Sequence, residues 1–355
     1  VDLDADRPSV LADRLVNEIL SGRDFADVGY RGSRRVRQRP VPDRIDEPGP
    51  AGLAIDPEDV LLVTGGARGI TAAIAIDVAR RYHPMILVVG RTAAGPGDEP
   101  PHVAGVGSER ELKTALLADA RRTGQPISAA AIEKAYTTIV RRREVRANLD
   151  AMRQAGARVE YRQVDVVDDR AFGRVIEDVY RTYGRLDGVI HGAGVIEDAL
   201  VEHKRADSFA RVFETKVRSA LTLIRHVRPE SLRLFVLFAS VAGRFGNRGQ
   251  IDYAAANESL NKLALHLDRR WPGRIVSLNW GPWAADGMAS GAIRQQFIDR
   301  GITPIEVAAG CRAFDRELRY GRKGQVEVVL GQGHWDSVPS PADSESFHRI
   351  ERSTV

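Results

Sequence analysis

Between residues 59 and 335, short apolar runs alternate with segments of helical period, and that alternation is the strongest constraint on the fold. The runs are Val60–Val63, Ile86–Val89, Val159–Tyr161, Val189–Ile190, Leu234–Phe238, Ile275–Leu278 and Val326–Leu330. Short continuous apolar runs of this kind suit strands buried on both faces. With helices between them they predict an α/β fold, a doubly wound parallel sheet covered by helices on each side.

The flanks read differently. Residues 1–58 are expected to form an irregular N-terminal extension with one amphipathic helix (Val10, Leu11, Leu15, Ile19, Leu20) and a Pro-rich exit, RPVPDRIDEPGP. Residues 336–355 read as a C-terminal linker or tail. Inside the core, positions 93–158 exceed what one crossover needs. A Gly/Pro-rich loop, AAGPGDEPPHVAGVG, leads there into two helical patterns, Glu109–Thr123 and Ser128–Ala155, with Leu112, Leu116, Leu117, Ile132, Tyr136 and Ile139 at helical spacing. An inserted helical element packed on the sheet is expected, with a docking surface for a partner domain as the other reading.

Composition narrows the class. A content of 43% apolar and 28% charged residues fits a soluble globular chain, and no apolar run is long enough to span a bilayer. Cys311 is the only cysteine, which leaves no disulfide framework and no cysteine-based metal cluster, and suits a reducing cytoplasm. The start, VDLDADRPSVLADR, has neither Met nor a signal-like apolar stretch, as expected of a piece of a longer polypeptide or of a trimmed free-standing one. Six of the 52 basic residues are lysines, so each lysine is informative. Arg141–Arg143 lacks interleaved aromatics and reads as a solvated helix face; no nucleic-acid or membrane partner is expected.

The run VLLVTGGARGIT places a Gly-rich turn between a buried strand and a helix. Gly65, Gly66 and Gly69, with Ala67, Arg68 and Ile70, would let the backbone approach a pyrophosphate at the helix N-terminus. Thr71 stands where many dinucleotide folds have a third glycine. The second strand ends in VVGRT, and Arg91 stands where NAD enzymes place an acid. Arg91 and Arg68 can pair with a 2′-phosphate, which favours NADPH over NADH. Two ordinary surface arginines are the alternative.

The segment FASVAGRFGNRGQIDYAAANESLNKLA strongly resembles the active-site stretch of ketoreductase domains from type I polyketide and fatty acid synthases. VTGGARGIT, HGAGVIED, FETKVRSALTL and NWGPWAADGM extend the likeness over residues 59 to about 315. The resemblance implies a Rossmann-type short-chain dehydrogenase/reductase that uses NADPH to reduce a β-keto group on a chain tethered to an acyl carrier protein, among neighbouring synthase domains. Carbonyl reduction needs a hydride donor, a proton donor and stabilisation of the developing alkoxide. Tyr253 is the expected proton donor, and Lys216 the cation that assists it and holds the nicotinamide ribose. Ser240, at the end of an apolar strand, would bond the substrate carbonyl. Asn257, one helical turn after Tyr253, would anchor a relay water. Most short-chain dehydrogenases have Lys four residues after Tyr; here that place is Asn257 and the lysine lies upstream, as in the synthase ketoreductases.

Further positions follow from the same likeness. Asp165 and Val166 resemble the adenine contact, although Asp after a strand is also a common turn former. Gly192, Ala193 and Gly194 resemble the turn beneath the cofactor, and His191 before them reads as a packed strand-end residue. Gly281 and Pro282, between Trp280 and Trp283, resemble the nicotinamide-side loop, and Met288 would begin a lid. Ile196, Glu197 and Asp198 resemble the Leu-Asp-Asp motif that accompanies the D-configured alcohol, with Glu in place of the first Asp. Phe245 stands where the opposite class has Trp. The extra helices, the RFGNRGQ run and ADVGYRGSRRVRQRP resemble iterative polyunsaturated fatty acid and enediyne synthases. A non-catalytic NADP-binding domain that braces a synthase, a dinucleotide sensor, and a free-standing reductase of CoA esters or small ketones are the competing readings.

Overall fold

The computed structural model describes residues 2–3, 8–20, 28–32, 34–43, 52–53, 55–94, 99–124, 128–284, 295, 298–299, 301–331 and 347–354. Seven parallel strands form its centre: β4 (Val60–Thr64), β5 (Met85–Gly90), β6 (Arg158–Gln163), β7 (Gly188–His191), β8 (Leu234–Ser240), β9 (Arg274–Trp280) and β10 (Glu327–Leu330). Their spatial order is β6-β5-β4-β7-β8-β9-β10. All seven contain an apolar run expected to be a strand.

Successive side chains of these strands enter opposite layers. Leu61, Val63, Ile86, Val88, Val236 and Phe238 pack with α2 (Gly69–Tyr82) and the last helix, α9 (Val307–Tyr320). Val60, Leu62, Leu87, Val89, Phe235 and Leu237 pack with α5 (Asp169–Tyr183), α6 (Ala206–His226) and α8 (Ile251–Asp268). Burial on both faces explains why β4, β5 and β8 lack a polar alternation. The strand order reverses beside β4, whose neighbours are β5 and β7, and open sheets of this kind bind ligands at such a point, beyond the carboxyl ends of the strands.

The long connection from β5 to β6 holds α3 (Glu109–Thr123) and α4 (Ala129–Gln154). Ser108 and Ser128 cap them by accepting from Glu111 N and Ala131 N. Val145, Leu149 and Met152, all in the second half of α4, are buried. That half serves as the crossover helix, and α3 packs on α4. Arg143 holds the preceding loop to α4 through both Glu99 oxygens (2.6 and 2.7 Å) and the carbonyls of Val103 and Val106.

The flanks depart from expectation. The N-terminal extension holds β1 (Asp2–Leu3), the amphipathic helix α1 (Pro8–Leu20), β2 (Val28–Arg31) and β3 (Arg34–Asp43), so it is less irregular than the sequence suggests. The stretch read as a tail holds β11 (Phe347–Thr354), which lies antiparallel between β3 and β10 and extends the sheet to eleven strands. The Pro-rich exit begins inside β3. Pro40 and Pro42 lie beyond Arg37, where pairing with β2 stops, so one side of the strand is open and a missing N–H costs least. Glu18 ties α1 to this part, accepting from Arg35 (2.7 and 2.8 Å) and from Tyr30.

Phe172 on α5 has no exposed surface. Phe172→Ala is expected to lower unfolding free energy by about 3–5 kcal/mol, and Val140→Ser on the exposed side of α4 by under about 0.5 kcal/mol, in urea melts followed by circular dichroism.

Candidate active site

The Gly-rich turn closes β4 against the turn after β7. Gly65 has φ 69° and donates its N–H to Val89 O at 2.9 Å. A Cβ there would stand 2.9 Å from the backbone of Gly192 and Ala193, so only glycine lets the two turns meet. Thr71 replaces the third glycine without cost because Gly192 makes the room. A Cβ on Gly192 would lie 2.4 Å from Thr71 Oγ1.

Arg68 is the N-cap of α2 but offers no side-chain cap. Instead α4 reaches the turn. Glu144 Oε2 accepts from Arg68 Nε at 2.6 Å, Glu144 Oε1 from Gly69 N at 3.3 Å, and Asn148 Nδ2 donates to Ala67 O at 2.9 Å. Neither residue stands out in the sequence; their spacing of one helical turn on α4 is the only signal. Arg91 lies 3.9 Å from Asp165, and both are exposed. Asp165 Oδ1 also accepts from Val167 N (3.1 Å), so this residue shapes the turn beside buried Val166.

Three elements bring the expected tetrad together. Lys216 comes from α6, Ser240 from the end of β8, and Tyr253 and Asn257 from α8. Ser240 also caps the short α7 (Val241–Phe245) by accepting from Ala242 N at 3.2 Å. Lys216 is 2% exposed, donates to Phe238 O at 2.7 Å, and has its Nζ 5.6 Å from the centroid of the Tyr253 ring. Burial pulls the Lys216 ammonium down to about 7. Burial pushes the Tyr253 phenol up to about 12, against hydrogen bonds with Asn257 and Ser240, while the Asp198 charge adds to the rise. Asn257 Nδ2 donates to Tyr253 O at 2.6 Å, and its Oδ1 is buried without a partner among the described residues.

His191 is a packed residue, as its strand-end place suggests. It is fully buried, and burial holds its imidazole down at about 3, hence neutral. Lys216 O can only accept, so the contact of 3.0 Å places the proton on Nε2 and leaves Nδ1 to accept from Thr64 Oγ1 at 2.7 Å. Thr64 in turn accepts from Ala193 N at 3.2 Å. One directed chain thus runs from the turn after β7 to the backbone of Lys216.

The loop after β7 divides the two acids. Glu197 turns to Arg211, which donates from Nε and Nη2 at 2.9 and 2.8 Å and helps hold the carboxyl down at about 2. Asp198 Oδ1 accepts from Gln250 Nε2 at 3.0 Å. Val195 and Ile196 pack on Val212, Ala242 and Tyr253, whereas Phe245 packs on Val241, Ile302 and Val329, a separate cluster. Gly281 N donates to Leu330 O (2.8 Å), and Pro282 O accepts from Ile305 N (2.7 Å), which fixes the loop after β9. Met288 lies outside the described residues.

Known proteins share this fold. The chain is 32% identical over 310 residues to a polyunsaturated fatty acid synthase protein of Thraustochytrium, an alignment that covers 85% of this chain and spans 11% of that protein's length. A ketoreductase domain from the bacillaene assembly line superposes with a TM-score of 0.68 at 26% identity, over 94% of this chain and 69% of the other. A short-chain dehydrogenase from Burkholderia cenocepacia, solved in complex with NADP, shares the fold at a TM-score of 0.58 and 18% identity, over 79% of this chain and 98% of its own. The family model described as the KR domain matches residues 60–285, from the first strand of the parallel sheet to the loop after β9, and the chain therefore belongs to the ketoreductase (KR) domain family.

Proposed function

We propose that this chain reduces the β-keto group of an acyl thioester, delivered on an acyl carrier protein, to the β-hydroxy group with NADPH, and that Tyr253 donates the proton. The observation that carries this reading is the buried pair: a phenol 8% exposed with a lysine Nζ 5.6 Å from its ring centroid.

The strand ends beside β4 fit a nicotinamide dinucleotide phosphate. Gly65 and Gly192 let the Gly-rich turn, the turn after β7 and α2 close tightly on one another, and Arg68, the N-cap of α2, offers the helix no side-chain cap. Gly65–Ile70 would hold the pyrophosphate, Arg68 and Arg91 the 2′-phosphate, and Asp165 with Val166 the adenine end. Gly192–Gly194, Gly281 and Pro282 would line the cofactor, and Lys216 and Tyr253 would hold the nicotinamide ribose. When bound, NADPH supplies the hydride that the carbonyl carbon requires.

The remaining chemistry belongs to the chain. Ser240 accepts from Ala242 N and hydrogen-bonds Tyr253, so its hydroxyl stands where it can turn its proton to the substrate carbonyl oxygen. Tyr253, protonated at neutral pH, gives its proton to the same oxygen. The Lys216 charge then stabilises the phenolate, an effect that gains strength in a dry site. Asn257 Oδ1, buried and without a protein partner among the described residues, suits the water that restores the proton. Of the two loop acids, Asp198 stands near Tyr253 while Glu197 is engaged by Arg211, so Asp198 is the one that meets substrate. The D-configured alcohol is the expected product.

Tyr253→Phe should leave NADPH binding within a few-fold and cut turnover by about 10²–10⁴, read from NADPH oxidation at 340 nm with a simple β-ketoacyl thioester. Binding without turnover in the wild type would favour a bracing or sensing domain. The pH profile gives a second test. Lys216 must be charged to stabilise the phenolate, so kcat/KM for reduction should be level well below about 7 and fall as pH rises through that value. Lys216→Arg, whose charge does not titrate in this range, should abolish the fall in whatever activity it retains.

A further inference from the structure

Lys204 stands between the short helical turn Val201–His203 and α6, away from the reacting groups, yet its side chain is only 5% exposed. Its Nζ lies 2.8 Å from Asp252 Oδ2, whose side chain is 1% exposed, and it also donates to Glu197 O. Asp252 directly precedes Tyr253, and its other oxygen, Oδ1, accepts from Tyr253 N at 2.9 Å. Two further bonds close the same seam, Ala199 N to Gly249 O at 2.9 Å and Gln250 Nε2 to Asp198 Oδ1 at 3.0 Å. Asn247 Nδ2 steadies Gln250 at 3.0 Å.

A buried ion pair is a poor source of stability, because desolvating both charges cancels most of their attraction. Its distinctive property is direction. An ammonium has three donors, so it can hold a carbonyl of one segment and a carboxylate of another at the same time. We propose that Lys204 is a positioning residue for the reduction: by locking residues 197–199 to the start of α8 it fixes Asp198 relative to Tyr253, and so sets which face of the ketone is reduced. The inference rests on the reductase reading given above.

The test compares wild type, Asp252→Asn, Lys204→Met and the double variant Lys204→Met/Asp252→Asn, each with a β-ketoacyl thioester and with a prochiral bicyclic ketone. Melting temperature, NADPH Kd, kcat and the ratio of product stereoisomers are measured. Lys204→Met alone leaves a buried carboxylate unpaired and is expected to melt earlier. The double variant removes both charges yet keeps an acceptor for Tyr253 N, so its melting temperature should return towards wild type. Its NADPH Kd should be unchanged, while kcat falls and the stereoisomer ratio drops by about tenfold or more. Asp252→Asn, the mildest change, should lower the ratio in the same direction and keeps the question answerable if the Met variants fail to fold. A wild-type ratio in both Asp252→Asn and the double variant would overturn the proposal and leave the pair a purely structural one. Wild-type turnover of the bicyclic ketone without turnover of the thioester would refute the thioester reading alone, since the ratio on the ketone still tests Lys204. A wild type that reduces neither would overturn both.

Discussion

Taking a lysine out of water costs several kcal/mol, and the one backbone carbonyl that Lys216 meets, Phe238 O, offsets only part of it, for burial still pulls the ammonium down to about 7. That carbonyl is available for a topological reason. The pairing of β8 with β7 ends at Leu237 opposite His191, so Phe238 lies just past the shorter strand. The backbone of Lys216 is fixed from the other side by His191 Nε2, and His191 is fixed by Thr64 and Ala193. The lengths of β7 and β8 therefore decide where the charge sits, and the ring of Tyr253 is packed against that charge. The same strand ends lie beside the Gly-rich turn after β4, so one set of register choices serves both the proposed cofactor cradle and the proposed proton donor.

Most of the central sheet is readable from sequence because strands buried on both faces are largely apolar, and these runs are too short to be buried helices; the edge strand β6, RVEYRQ, is marked more weakly. The four outer strands carry no such mark. Arg34–Asp43 is rich in arginine and interrupted by proline, and its partner Phe347–Thr354 is mostly polar, so only pairing identifies either. In the site, Tyr253 and Asn257 share a helix face at a spacing of four, and Lys216 stands out as a rare lysine. Glu144, Asn148 and Asp252 do not stand out, because each acts on a residue chosen by the fold: Arg68, Ala67 and Lys204.

The helical insertion belongs to the site as well as to the scaffold. Both arginines proposed to meet the cofactor's 2′-phosphate already have carboxylate neighbours, Arg68 with Glu144 and Arg91 with Asp165. In such exposed pairs each partner holds the other only weakly. The guanidiniums are thereby steered without being neutralised, and a doubly charged phosphate can compete for them. Glu144 sits in the half of α4 that enters the core, directly before buried Val145, so the insertion and the Gly-rich turn share one rigid support.

The placement of β11 bears on the order in which the molecule can assemble. Among the described residues β3 pairs only with β2 and β11, and it is β11 that joins this group to β10. As the chain is synthesised, β2 and β3 must therefore wait for β11 before they can join the sheet, while the elements between them can fold in sequence. Long-range closure of this kind is slow, and it leaves strand edges open in the interval. The many arginines of β3 and the prolines near its end are the features that keep such an edge from pairing with the wrong neighbour while it waits.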